Sequence, residues 1–285
     1  MADREERKIE ASKHSALMKG ALGKETQASV EATVIYEEGQ GRELPVPEPS
    51  FDATETVVTG AFEPMAMYRY ASGKTVVVDP ASFTRPGGAY EDGAFGPEQI
   101  LCSESNLYQI LCGIEDAYHK RNRDYRRGGL FTDRVAYVPG VVFPHDGSMR
   151  TADVMAVAEP MRVKALENHR SERECDAALE DRIEAIMRIA AANECETLVC
   201  NAFACGRLGY EPSQVIGLFK AWIEAHPGVI GRVVFAVPRA HLDAFDAAFA
   251  APVVEEAPVV AEEAPEEDEF DLASIELPEG VTLRA

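Results

Sequence analysis

From about residue 54 onward the chain carries short, nearly continuous apolar runs: TETVVTG, KTVVVD, DRVAYVPGVVF, ADVMAVAEP, ETLVCNAF and RVVFAVP. Runs of this kind, rich in valine, predict strands buried on both faces. Between them the apolar period lengthens. In EQILCSESNLYQILCGIEDAYHKR, Ile100, Leu101, Leu107, Ile110, Leu111 and Ile114 recur at helical spacing, and RIEAIMRIAAAN, PSQVIGLFKAWIEAH and RAHLDAFDAAFA predict further helices. Strands alternating with helices predict an α/β sheet covered on both faces, a class that binds ligands in loops beyond the carboxyl ends of its strands.

Upstream, REERKIEASKHSALMKGAL places Ile9, Ala16, Leu17 and Leu22 near helical spacing and reaches Gly20 and Gly23, predicting an amphipathic helix with a glycine C-cap that packs on the main domain. VEATVIYEEG predicts a strand or hairpin arm, and the Pro-rich ELPVPEPS a connection. The expected organisation is a helical extension over 1–50, an α/β domain over 51–250 and an acidic Pro/Ala/Glu linker with a terminal peptide over 251–285.

Charge narrows the function classes. The formal net charge of −21 excludes general attraction to nucleic acid or an anionic membrane. Residues 251–285 hold eleven of the acids against one Arg, so self-repulsion keeps that stretch extended, while Phe270, Leu272, Ile275, Leu277, Val281 and Leu283 suit a peptide that docks on a protein partner over 270–283. No apolar run reaches the roughly 18–20 residues that span a bilayer, and the N-terminus lacks a secretory pattern, so the expected location is the cytoplasm. The six cysteines are expected as thiols. Cys195, Cys200 and Cys205 have zinc-like spacing, but a strand between them would extend roughly 17 Å, too far to converge on one metal.

Two loops carry the candidate chemistry. PASFTRPGGAYEDGAFGPEQ, residues 80–99, follows the strand KTVVVD and leads into a helix starting near Pro97. Its glycines allow close backbone approach, and a helix start offers free N–H groups to an anion. It is neither a Walker loop nor a GxGxxG fingerprint. ACGRLGY, residues 204–210, links the strand ETLVCNAF to a helix starting near Glu211-Pro212, with Arg207 as a local cation.

These segments resemble the microbial-type poly(ADP-ribose) glycohydrolases, a branch of the macrodomains. VVVDPASFTRPGGAYEDGAFGPEQILCSESNLYQIL is similar to that family's strand, Pro-Gly-Gly-Gly loop, Gln-Glu-Glu signature and following helix, and YVPGVVFPHDG and LVCNAFACGRLGYEPSQVIGLFKAWI to later segments, over residues 50–240. The resemblance implies a macrodomain-like mixed sheet sandwiched between helices. It also implies ADP-ribose or an ADP-ribosylated macromolecule as partner, no cofactor, and a ligand site made of Asp79, Pro86, Gly87, Gly88, Ala89, Ala204, Cys205, Gly206, Arg207 and Tyr210.

The departures fall on the chemistry. Gly87-Gly88-Ala89 stands for the glycine triplet, Pro97-Glu98-Gln99 for Gln-Glu-Glu, and Asp79 for an Asn. In the family the second Glu is implied to protonate the departing oxygen and then activate water, while its neighbour holds the ribose. Glu98 is therefore the candidate for contacting ribose, and Gln99 is an amide with no proton to give near neutral pH. ADP-ribose recognition with weak or absent glycohydrolase activity is the leading expectation. An active hydrolase using Glu98 or a substitute carboxylate, with Glu91 and Asp92 in the same loop, stays open, as does a scaffold without ligand. Ser103, Ser105, His119 and His145 form no GxSxG-type hydrolase pattern.

Overall fold

Three valines decide where the sheet has its centre. Val76, Val77 and Val78 lie in the strand Thr75–Asp79, which is buried along its whole length in the computed structural model; the model describes residues 3–249. The acidic linker and terminal peptide expected over 251–285 lie outside the described residues. Among the described residues the strands are β1 (Val34–Tyr36), β2 (Glu55–Thr59), β3 (Thr75–Asp79), β4 (Val135–His145), β5 (Ser148–Val157), β6 (Thr197–Asn201) and β7 (Arg232–Ala236). The helices are α1 (Arg4–Ala21), α2 (Gly23–Ala32), α3 (Gln40–Glu43), α4 (Glu63–Tyr70), α5 (Pro97–Ser103), α6 (Leu107–Gly113), α7 (Arg162–Glu167), α8 (Glu172–Ala192), α9 (Pro212–Ala225) and α10 (Arg239–Phe249).

The strands form one mixed sheet in the order β1-β4-β5-β3-β6-β7-β2. β3 pairs in parallel with β5 and with β6, and β6, β7 and β2 continue in parallel. β4 and β5 form an antiparallel hairpin whose register shifts between Val138 and Val141, around Pro139-Gly140, and β1 joins antiparallel at the edge. Side chains of successive β3 residues enter different layers. Val76 and Val78 belong to the core with α8 and α9, and Val77 to the core with α4, α5 and α6. The α/β expectation therefore holds, including the cover on both faces.

Two local expectations change. The segment 99–114 is not continuous helix, because it breaks at Glu104–Asn106 between α5 and α6. Ser105 Oγ donates to the Leu101 carbonyl at 2.6 Å and accepts the Leu107 N–H at 3.1 Å, satisfying the backbone at the break. The Asn106 N–H donates to the Val142 carbonyl at 3.2 Å, and the Val142 N–H donates to Asn106 Oδ1 at 2.9 Å, so the break is anchored to β4. At the N-terminus, Gly23 opens α2 where a C-cap was expected. Leu22, not a left-handed glycine, ends α1 with its N–H on the Met18 carbonyl. Both helices pack on the sheet domain, Ala11 joining the α4–α6 side of the core and Ser29 Oγ donating to the Gly140 carbonyl. Among the described residues no helix is long and apolar enough to cross a membrane.

The other face is anchored by Phe235 of β7, fully buried and in ring contact with Phe219, Phe245 and Phe249 at centroid distances of 5.3, 5.4 and 4.4 Å. Phe235→Ala should lower unfolding free energy by about 3–5 kcal/mol, the cost of lost burial plus the cavity left behind, as read from urea denaturation.

Candidate functional site

Parallel pairing of β3 with β5 and β6 makes the loops after these three strands leave the sheet at the same edge. They enclose a cleft of about 400 Å³. Pro80, Ser82, Phe83 and Gly88 line it from the segment after β3, Glu98 and Gln99 from the start of α5, Glu159 and Met161 from the segment after β5, and Arg207 and Leu208 from the loop after β6. The two predicted loops thus meet, as the carboxyl-edge rule implies.

The first loop is held from three sides. Gly88 has φ +60°, and a Cβ there would lie 2.9 Å from both Glu98 Oε2 and Gln99 Nε2, so the backbone must be bare at this point. Glu98 Oε2 accepts the Ser82 N–H at 3.0 Å. Gln99 Nε2 donates to the Gly87 carbonyl at 3.1 Å and approaches Glu98 Oε2 at 3.4 Å. The Gln99 amide therefore braces the loop with a donor that a carboxylate would lack. Asn122 Nδ2 donates to the Phe83 carbonyl at 2.8 Å. On the outer side α1 closes over the loop: Arg4 Nε donates to the Asp92 carbonyl at 2.9 Å and Arg7 Nε to the Gly93 carbonyl at 2.8 Å. Gly93, at φ +71°, permits this approach, since a Cβ would sit 2.1 Å from the Arg4 carbonyl oxygen.

In the second loop Ala204 adopts φ +60°, a conformation unfavourable for a residue with a Cβ. Its N–H donates to Glu159 Oε1 at 2.6 Å, a charge-assisted bond that helps hold the strained turn. Arg207 projects from the same loop and is exposed.

Four carboxyl groups converge on this edge. Asp79 is fully buried at the end of β3, and neither of its oxygens has a hydrogen-bond partner among the described residues. Burial pushes its pKa well up, and the charges of Glu63 and Glu159 push further. Glu98 is raised likewise, first by burial and then by Asp79, against the opposing Ser82 and Gly87 N–H groups. Burial raises Glu63 as well. Glu159 is raised by burial to about 7, with the Ala204 N–H and Arg207 acting in the other direction.

The residues expected at the site divide into groups. Gly88, Glu98, Gln99 and Arg207 line the cleft. Asp79, Gly87 and Ala204 stand behind its wall, where they support it. Pro86, Ala89, Cys205 and Gly206 belong to the two loops without lining the cleft. Tyr210 is a core residue: it is buried, and its hydroxyl donates to the Cys175 carbonyl at 2.8 Å, because the turn at Gly209 directs it under α8. Glu91 and Asp92 face away from the cleft, where Asp92 pairs with Arg85 at 2.9 Å and Glu91 lies along α1. Two acids were missed. Glu159, after the apolar run of ADVMAVAEP, had a readable signal, an acid just past a buried strand; Glu63, at the start of α4, had none. All six cysteines are free thiols.

Residues 5–146 match the family model described as microbial-type PARG, catalytic domain. Solved structures share the fold. The poly(ADP-ribose) glycohydrolase of Thermomonospora curvata superposes with a TM-score of 0.74 at 23% identity, covering 87% of this chain and 99% of its own. The same enzyme bound to the inhibitor ADP-HPD gives 0.72 at 24%, covering 87% and 99%. The Deinococcus radiodurans glycohydrolase in complex with ADP-ribose gives 0.66 at 23%, covering 79% and 95%. No functionally curated protein sequence matches the chain.

A carboxyl whose pKa is raised on folding binds more protons in the folded than in the unfolded state between the two pKa values, so stability falls as pH rises through that window. For Glu159 the window runs from its ordinary 4.5 to about 7. The melting temperature should therefore decline from pH 5 to pH 8, and Glu159→Gln should flatten the part of that decline lying below pH 7, as followed by differential scanning fluorimetry in matched ionic strength.

Proposed function

From membership of the microbial-type poly(ADP-ribose) glycohydrolase family we propose that this chain recognises ADP-ribose, free or as the end of an ADP-ribosylated macromolecule, in the cleft at the carboxyl edge of β3, β5 and β6. The observation that carries the reading is the juxtaposition of Gly88, Glu98 and Arg207 in one cleft. Gly88 offers bare backbone to a diphosphate, Arg207 offers charge from the opposite loop, and Glu98 lies between them at the start of α5. The structural relatives include complexes with ADP-ribose and with ADP-HPD, which supports the same ligand class here.

Glu98 accepts the ribose hydroxyls in this arrangement, and Phe83, Phe131, Met161 and Leu208 supply the apolar part of the lining. Gln99 gives no proton. Its amide braces Gly87 and Glu98, so the position that serves acid catalysis in the family serves loop geometry in this chain. Recognition is therefore separable from cleavage at this position.

Isothermal titration of the full chain with ADP-ribose should give saturable binding. Gly88→Glu places bulk and negative charge where the diphosphate lies and should reduce affinity at least 100-fold while circular dichroism still reports a folded protein. Arg207→Ala should weaken binding by about tenfold, the scale of one charge-assisted contact. Unchanged affinity in a folded Gly88→Glu protein would remove the diphosphate from this loop.

A further inference from the structure

Among the described residues two carboxyl groups line the cleft, Glu98 and Glu159, and they differ in what they can do. Glu98 is buried, its Oε2 is engaged by the Ser82 N–H, and its Oε1 is sealed from solvent without a partner. That Oε1 is out of reach of a water molecule, and Glu98 meets the cleft only on its Oε2 side. Glu159 is partly exposed and, among the described residues, is tethered through Oε1 with its other oxygen making no hydrogen bond. It stands on the segment after β5, held to the second loop by the Ala204 N–H, and shares the cleft lining with Glu98 and Gln99, whereas Glu91 and Asp92 point away.

We propose that Glu159 is the general acid and base by which this chain cleaves O-glycosides of ADP-ribose, in place of the carboxyl absent at Gln99. The proposal rests on ADP-ribose occupying the cleft. The Glu159 carboxyl gives its proton to the glycosidic oxygen as the bond from that oxygen to the ribose anomeric carbon breaks and both bonding electrons pass to the oxygen. The carboxylate then takes a proton from a water whose oxygen bonds to the anomeric carbon. One water is consumed, free ADP-ribose and the hydroxyl of the carrier are released, and Glu159 ends protonated as it began.

The surroundings suit this cycle. Burial and the charge of Glu63 disfavour the ionised form of Glu159, and Arg207 and the Ala204 N–H favour it; Glu159 in turn raises its neighbours Asp79, Glu98, Cys200 and Cys205. The balance leaves the group near a pKa of about 7, where both protonation states are accessible at neutral pH. Ligand binding shifts that balance. A diphosphate paired with Arg207 removes the cation that stabilises the carboxylate, and so favours the proton-bearing form when substrate is present.

The test uses the full chain with poly(ADP-ribose) and with a serine-linked ADP-ribosylated peptide, alongside titration with free ADP-ribose. Wild type should turn over at least one glycoside, with kcat/KM falling above about pH 7. Glu159→Gln should lower kcat by about 100- to 10,000-fold, abolish the alkaline fall in what remains, and leave ADP-ribose affinity within threefold. Glu159→Asp, which keeps a carboxyl, should restore at least tenfold of the lost kcat and guards against a glutamine variant that fails to fold. Undiminished kcat in Glu159→Gln would overturn the proposal, as would wild-type protein that binds ADP-ribose and cleaves neither substrate. Absence of ADP-ribose binding to wild type would instead overturn the recognition reading, and with it the premise on which Glu159 was assigned.

Discussion

The burial of β3 between two parallel neighbours is the constraint on which the rest of the structure depends. A strand hydrogen-bonded on both sides and covered on both faces has no polar edge to expose, so the side chains at its middle are apolar. Val76, Val77 and Val78 satisfy that demand, and Asp79 marks where it stops. Parallel pairing then fixes direction: β3, β5 and β6 run the same way, and whatever follows each of them emerges at one edge. The helices that return the chain cover the two faces, which is why the core divides into an α8–α9 side and an α4–α6 side. The cleft lies between the three loops that leave the sheet at this edge.

That edge also has an unusual electrostatic character. Four carboxyl groups meet there, and the free energy of charging all four beside one another in a buried setting is prohibitive. Burial and mutual repulsion accordingly push all four toward the proton-bearing form. An anionic diphosphate is compatible with such a site even in a chain of net charge −21, provided the local cation, Arg207, and the backbone donors face it. Local charge, rather than net charge, governs the fit of one small anion in a cleft.

The N-terminal helix adds a second layer of control over the same loop. Arg4 and Arg7 reach the carbonyls of Asp92 and Gly93, so α1 braces the first loop from outside while Gln99 and Glu98 brace it from within. A loop of this length, held at both surfaces by side-chain donors to its carbonyls, keeps its glycine turn in place without needing regular secondary structure.

The sequence by itself determined the alternation of buried strands and helices, the two loops that meet, and the helix starts at Pro97 and Pro212, because each follows from local period, chain stiffness or the proline at the first helical turn. It also determined that Gln99 cannot donate a proton, since that is a property of the side chain. What only the tertiary structure decided is which side of a loop each residue faces. Tyr210 lies in sequence beside Arg207 yet ends in the core, Glu91 and Asp92 share a loop with Gly88 yet face α1, and the helical period of 100–114 is broken by Ser105 and by the anchoring of Asn106 to β4. Glu159 is the sharpest case. It lies 60 residues from Gln99, and only the parallel pairing of β3 with β5 brings the two to one cleft. Local sequence sets what a residue can do chemically and which element it joins. Its neighbours across the sheet are set by strand order, a long-range choice made by the packing of the whole core.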